Sequence, residues 1–258
     1  PWEGTTVIGT TDLDHADDLD IEASISAAEV DYLLRAFNVQ FPDQAISREN
    51  IISTWAGVRP VIGSEASKDP SRERRDHAVW SDNGLITVSG GKLTTFRLIA
   101  LDALAAARDH LPDPQPFTDE RVFNAPDTLA KDLVADDPVW AQRLLGRYGL
   151  QAKPMFDSAS AAERERIQGT DFCLAECRWA ARHEAVAHLD DLLLRRTRLG
   201  MLLTDGGSEL FPALESICRA ELGWDSAHWQ QEVSRYLSIW QRFYSLPRED
   251  HRTTHIAK

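Results

Sequence analysis

The stretch SGGKLTTFRLIA, Ser89–Ala100, changes its hydrophobic period across Gly90–Lys92. Upstream, in LITVS, apolar Ile86 and Val88 alternate with polar Thr87 and Ser89, the two-residue period of a strand. Downstream, Leu93, Phe96, Ala100, Ala103, Leu104 and Ala107 recur at three and four, the period of an amphipathic helix running to about His110. Gly90 and Gly91 therefore carry a strand straight into a helix, whose first amides have no intrahelical acceptor. The helix dipole places partial positive charge at that end, and Lys92 adds a full charge. Such an end attracts a negative or electron-rich group, and glycines let that group approach the backbone. A nucleotide P-loop is excluded. It needs a glycine five residues before Gly91, where the chain has Ile86, and Ser or Thr after Lys92, where it has Leu93. No G-x-G-x-x-G occurs in the chain. A plain strand-to-helix turn with an exposed lysine satisfies the same pattern.

Other segments divide the chain into a mixed α and β part before about residue 113 and a helical part after it. TTVIGTTD, Thr5–Asp12, reads as a short strand ending in a turn. In SAAEVDYLLRAFNVQFP, Ser26 and Glu29 form a capping box, Val30, Leu33, Leu34 and Phe37 share a face, and Pro42 stops the helix. Ile51, Ile52, Thr54 and Trp55 favour a strand broken by Gly57 and Pro60. HAVW and LITVS flank SDNG, strong hairpin-turn chemistry. LPDPQPFTDERVFNAPD, with four prolines, reads as a linker. Beyond it, Asp137 and Pro138 start a helix carrying Trp140, Leu144 and Tyr148 and closed by Gly149. One or two further helices end at Gly200, and SELFPALESICRAELG forms another. The last helix begins at Asp225 and buries Trp229, Val233, Leu237 and Trp240, before a polar tail after Pro247.

Charge narrows the partners. The net charge of -13 repels nucleic acid and anionic lipid at long range. Against that background, Arg59–Arg97 holds seven basic residues and five acidic ones. An anion site would look like this, and so would a charge-balanced loop. No run of 18 apolar residues exists, so no membrane-crossing helix is expected. Three cysteines make no disulfide scaffold, and Cys173 and Cys177, four apart, read as small buried helix residues. His183 and His188, five apart, share no helix face, and no metal site is expected. Trp229, Trp240 and Phe243 read as core, although an aromatic cluster also suits peripheral membrane attachment. The start, Pro-Trp-Glu-Gly, reads as a processed or trimmed piece.

Taken in order, VIGTTD, TWAGVRP, RRDHAVW, GLITVSGGKLTTFR and LDDLLLRRTRLG resemble phrases of the FAD-dependent glycerol-3-phosphate dehydrogenases. The resemblance runs from about Thr5 to Gly200, and it implies the C-terminal half of such an enzyme. The implied fold is α+β. Residues 1–75 would be part of a substrate-binding domain with an antiparallel sheet, residues 76–112 the end of the FAD-binding α/β domain, and residues 113–258 an all-helical C-terminal domain. The resemblance places the backbone at Gly90, Gly91, Lys92, Leu93 and Thr94 against the flavin, with Lys92 also near the substrate phosphate. It makes Arg59 the catalytic and substrate-orienting arginine. Arg75 becomes a phosphate ligand, its register open among Arg72, Arg74 and Arg75. His77 reads as a strand histidine. The implied reaction takes sn-glycerol 3-phosphate to dihydroxyacetone phosphate, with electrons passed to a quinone at the inner face of the cell membrane, the protein lying there peripherally. The proton acceptor and the FAD pyrophosphate site would lie in the N-terminal half, so this part alone would bind FAD poorly. Two alternatives stand: a glycerol-phosphate oxidase using oxygen, and a non-catalytic helical interaction module.

Overall fold

Asn83 and Gly84 both take positive φ, 49° and 84°. A hairpin turn of that hand matches the right-handed twist of the strands it joins. It links β1, His77–Asp82, to β2, Leu85–Gly90, with His77 opposite Gly90 and Asp82 opposite Leu85. These positions come from a computed structural model, which describes residues 1–59, 77–112 and 130–247. Arg72, Arg74, Arg75, Pro60, most of the proline-rich linker and the tail lie outside the described residues.

The chain forms two compact units. One gathers residues 11–18 and 58–122 and contains the hairpin. Its helix α2, Phe96–Ala106, follows a single 3-10 turn at Leu93–Thr95. The reading of one helix to His110 is thus resolved into a 3-10 start, an α-helical middle and a second 3-10 turn at Arg108–His110. Neither strand nor α2 contains a buried residue, and Trp80, Phe96 and Leu93 are 47%, 50% and 88% exposed. A two-stranded hairpin is marginal unless an apolar face is covered.

The other unit gathers residues 1–10, 19–57 and 123–258. Its first helix, α1, Ala27–Gln40, starts at the expected Ser26–Glu29 capping box and buries Val30. The short α3, Ala130–Leu133, precedes α4, Pro138–Tyr148, which begins where Asp137 accepts a hydrogen bond from Trp140 N and ends at Gly149 with φ 54°. Then follow α5, Ala152–Ser158; α6, Leu174–His183; a π-helical turn at Asp191–Arg196; and α7, Leu199–Leu202. The last two helices are α8, Phe211–Leu222, and α9, Ser226–Ile239, which runs on into a second π-helical turn at Trp240–Tyr244. Leu189, Leu192, Leu193, Leu199, Leu214, Ile217 and Tyr236 are fully buried together. Each such side chain contributes about 1.5–3 kcal/mol of burial. Among the described residues no helix is long and apolar enough to cross a membrane.

Three local readings need correction. Thr5–Asp12 and Ile51–Trp55 are not in a ladder; the hairpin is the only sheet among the described residues. Ile51–Trp55 instead fastens to the helices: Ser53 Oγ donates to Met201 O at 2.7 Å, and Thr54 N to Tyr244 O at 2.7 Å. Gly200 does not end a helix. It lies inside α7, where an added Cβ would sit 2.2 Å from Tyr236 Oη, so close approach explains the glycine. Tyr236 uses that hydroxyl to donate to Gly206 O at 2.6 Å in the core. Tyr236→Phe should therefore leave a buried carbonyl unpaired and cost about 1–3 kcal/mol. Thermal unfolding measures this, and an unchanged midpoint would refute it.

Candidate functional site

At the end of β2 the backbone turns through Gly90 and Gly91, with φ of 76° and 84°. At Gly91 a side chain is excluded twice. The φ is left-handed, and a Cβ there would lie 2.6 Å from Ile99 Cδ1 and 3.2 Å from His77 Cβ. Lys92 follows in extended backbone, and its side chain is exposed. Thr95 steadies the turn: its Oγ1 donates to Lys92 O at 2.9 Å and receives Lys92 N at 3.4 Å. Thr95 N also donates to Lys92 O, at 3.0 Å. Leu93 and Thr94 then hold the first-turn amides that the helix itself cannot satisfy. Two left-handed glycines, the amides of a helix start and an exposed ammonium fit an electron-rich group resting on the turn.

Arg59 lies in the same compact unit, exposed, with Nη2 donating to both carboxylate oxygens of Asp12 at 3.0 and 3.1 Å. The guanidinium thus meets the kind of oxygen-bearing partner that an anionic substrate supplies. Asp12 ends the TTD phrase, which the sequence reading matched as a phrase without giving the carboxylate a role. His77 begins β1 and sits opposite Gly90, and its Nε2 lies 2.7 Å from Asp102 Oδ2 on α2. The strand position of His77 was legible; its partner, 25 residues on, was not. The arginine cluster with Arg75 lies outside the described residues.

The remaining polar features lie in the helical unit. Buried Glu176 accepts from Arg143 Nη1 at 2.9 Å, Tyr148 Oη at 2.9 Å and Cys173 N at 3.0 Å. Arg143 also donates Nε to Glu3 at 2.6 Å and lies over the Phe172 ring at 4.2 Å. Burial pushes the Glu176 carboxyl up while Arg143 pulls against it. Buried Asp190 holds both Arg195 and Arg235, and Arg195 reaches Asp191 at 3.1 Å, an i, i+4 pair. His188 pairs with Glu232 at 3.0 Å, and His183 packs on the Trp179 ring. Cys173, Cys177 and Cys218 are buried and reduced, and burial pushes the Cys173 thiol up to about 12. Trp229 and Trp240 are core, and Phe243 is half-buried.

Comparison with known proteins matches two stretches of the chain to families. Residues 1–97 match a family described as FAD dependent oxidoreductase. Residues 122–229 match the C-terminal domain of alpha-glycerophosphate oxidase. The aerobic glycerol-3-phosphate dehydrogenase of Bacillus subtilis (strain 168) is 31% identical over 223 residues, covering 76% of this chain and 39% of the relative. Glycerol-3-phosphate dehydrogenase 2 of Mycobacterium tuberculosis is 30% identical over 253 residues, covering 92% of this chain and 43% of the relative. A mitochondrial glycerol-3-phosphate dehydrogenase of Mus musculus is 30% identical over 251 residues, 90% of this chain and 34% of the relative. The chain spans only about two-fifths or less of the length of these relatives.

Proposed function

Since the chain belongs to the family of FAD-dependent glycerol-3-phosphate dehydrogenases, we propose that it is the C-terminal part of an enzyme oxidising sn-glycerol 3-phosphate to dihydroxyacetone phosphate. The observation that carries the reading is the Gly90–Gly91–Lys92 turn, whose two left-handed glycines lead directly into the first amides of a helix and suit an electron-rich ring. When bound, FAD supplies the two-electron acceptor for the hydrogen at C2. The amides of Leu93 and Thr94 and the Lys92 ammonium favour negative charge on that acceptor. Arg59 orients the C2 hydroxyl and stabilises the charge that develops on it. Lys92 and an arginine of the Arg72–Arg75 cluster, Arg75 in our reading, hold the substrate phosphate. The base that takes the hydroxyl proton, the FAD pyrophosphate site and the cover for Trp80, Leu93 and Phe96 come from the remaining part of the protein. In this reading, electrons leave to a quinone and the protein lies peripherally on the inner face of the cell membrane.

The test compares two preparations. The intact protein should be yellow with stoichiometric FAD and should bleach on anaerobic addition of glycerol 3-phosphate. This chain alone, with no G-x-G-x-x-G, should be colourless. An intact protein without flavin, or with flavin that glycerol 3-phosphate does not reduce, overturns the proposal. The match to an oxidase domain favours a second reading, in which oxygen takes the electrons. Stoichiometric peroxide from the intact enzyme would select it.

A further inference from the structure

The turn at Gly90–Lys92 is held from beneath by groups with no part in the proposed chemistry. His77 stands directly across the ladder from Gly90. Its Cβ, together with Ile99 Cδ1, forms the floor on which Gly91 rests. Its ring is largely covered, 17% exposed, and its Nε2–H donates to Asp102 Oδ2 at 2.7 Å. Asp102 lies in the middle of α2, so this one hydrogen bond joins the start of β1 to the helix whose N-terminus follows the turn. No buried residue secures α2 against the hairpin. The helix rests on both strands through partly exposed side chains, and the His77–Asp102 hydrogen bond adds a directional constraint to that packing.

We propose that His77 and Asp102 form a positioning pair that fixes the Gly90–Gly91–Lys92 turn, and through it the aim of the Leu93 and Thr94 amides at reduced FAD. The inference rests on the function proposed above and assigns a residue pair to it. Amides aimed at developing charge favour the reduced over the oxidised cofactor, and their effect depends on alignment. Neither side chain of the pair needs to touch the cofactor. Misplacement by about 1 Å can cost about 100-fold, so a turn that tilts but persists should lose about tenfold.

The experiment uses the intact flavoprotein and reads the dissociation constants of oxidised and reduced FAD, with the midpoint potential as a second measure. His77→Ala and Asp102→Ala should each weaken reduced FAD relative to oxidised FAD by about tenfold, a fall of about 30 mV for a two-electron couple. The double variant should be no worse than either single, because the two act as one unit. His77→Gln, which keeps an N–H donor of similar reach, should restore most of the ratio. If His77→Ala does not fold, Asp102→Ala, at a half-exposed helix position, carries the test. An unchanged ratio with FAD bound overturns this proposal alone, even if thermal stability falls. An unmodified protein that binds no FAD overturns the proposed function and this pair together.

Discussion

Lys92→Ala in the intact protein is expected to lower kcat/KM for glycerol 3-phosphate by about 100-fold or more, the usual cost of removing one preorganised charge. Arg59→Ala should do the same. The two differ in how the loss divides. Lys92 stands where the strand becomes a helix; in the proposed reading its charge serves both the reduced ring and the phosphate, and both kcat and KM should suffer. Arg59 is placed by Asp12, which meets Nη2 with both oxygens; in the proposed reading its fork orients one hydroxyl. Arg59→Lys keeps the charge but loses the fork, so it should rescue little. Steady-state rates normalised to bound FAD separate these effects from loss of cofactor. If both alanine variants retain full activity, the turn is only a strand-to-helix connection, and the helical interaction module becomes the better account.

Glu176→Ala should destabilise the helical unit by about 3 kcal/mol or more, because it strips the largely covered Arg143 guanidinium of one of its two carboxylates and leaves Tyr148 Oη and Cys173 N without their acceptor. The carboxylate is 0% exposed and gathers three donors from two places: Arg143 and Tyr148 on α4, and Cys173 N at the entry to α6. Arg143 then carries the link to Glu3, near the first residue of the chain. One substitution thus strips partners from two helices and loosens an N-terminal segment. For a chain of this size each kcal/mol moves the midpoint by about 2–4 °C, so a fall of about 6 °C or more is expected in thermal unfolding. Replacing both partners, Glu176→Met with Arg143→Met, should cost less, since neither member of that pair is left facing an empty site and Glu3 keeps Arg147 at 3.7 Å. A midpoint within about 1 °C of the unmodified chain for Glu176→Ala would show that the network is not structural.

Which features were legible follows from how far apart the interacting residues lie. Ser26 with Glu29, Asp137 with Pro138, Asp225 before α9, and Asn83–Gly84 act within three or four residues, and each marks the boundary observed. The change of period at Gly90–Gly91 likewise locates the strand end and the helix start. Thr5–Asp12 and Ile51–Trp55 have strand composition but no ladder, because β-propensity expresses itself only when a second strand is supplied. Gly200 looked like a stop signal until Tyr236, 36 positions later, proved to need the space. Glu176 stands in a helical pattern and looks like any first-turn carboxylate.

Local chemistry in the chain was thus enough to locate the starts of α1, α4 and α9, the hairpin and the glycine turn. What required three dimensions was partnership: Asp12 on Arg59, Asp102 on His77, Glu176 on Arg143, and Ser53 on Met201. These contacts join positions between 25 and 148 residues apart. A hydrophobic period or a cap is enforced by neighbours along the backbone, whereas an ion pair over such a span exists only after the core has closed the loop between its members.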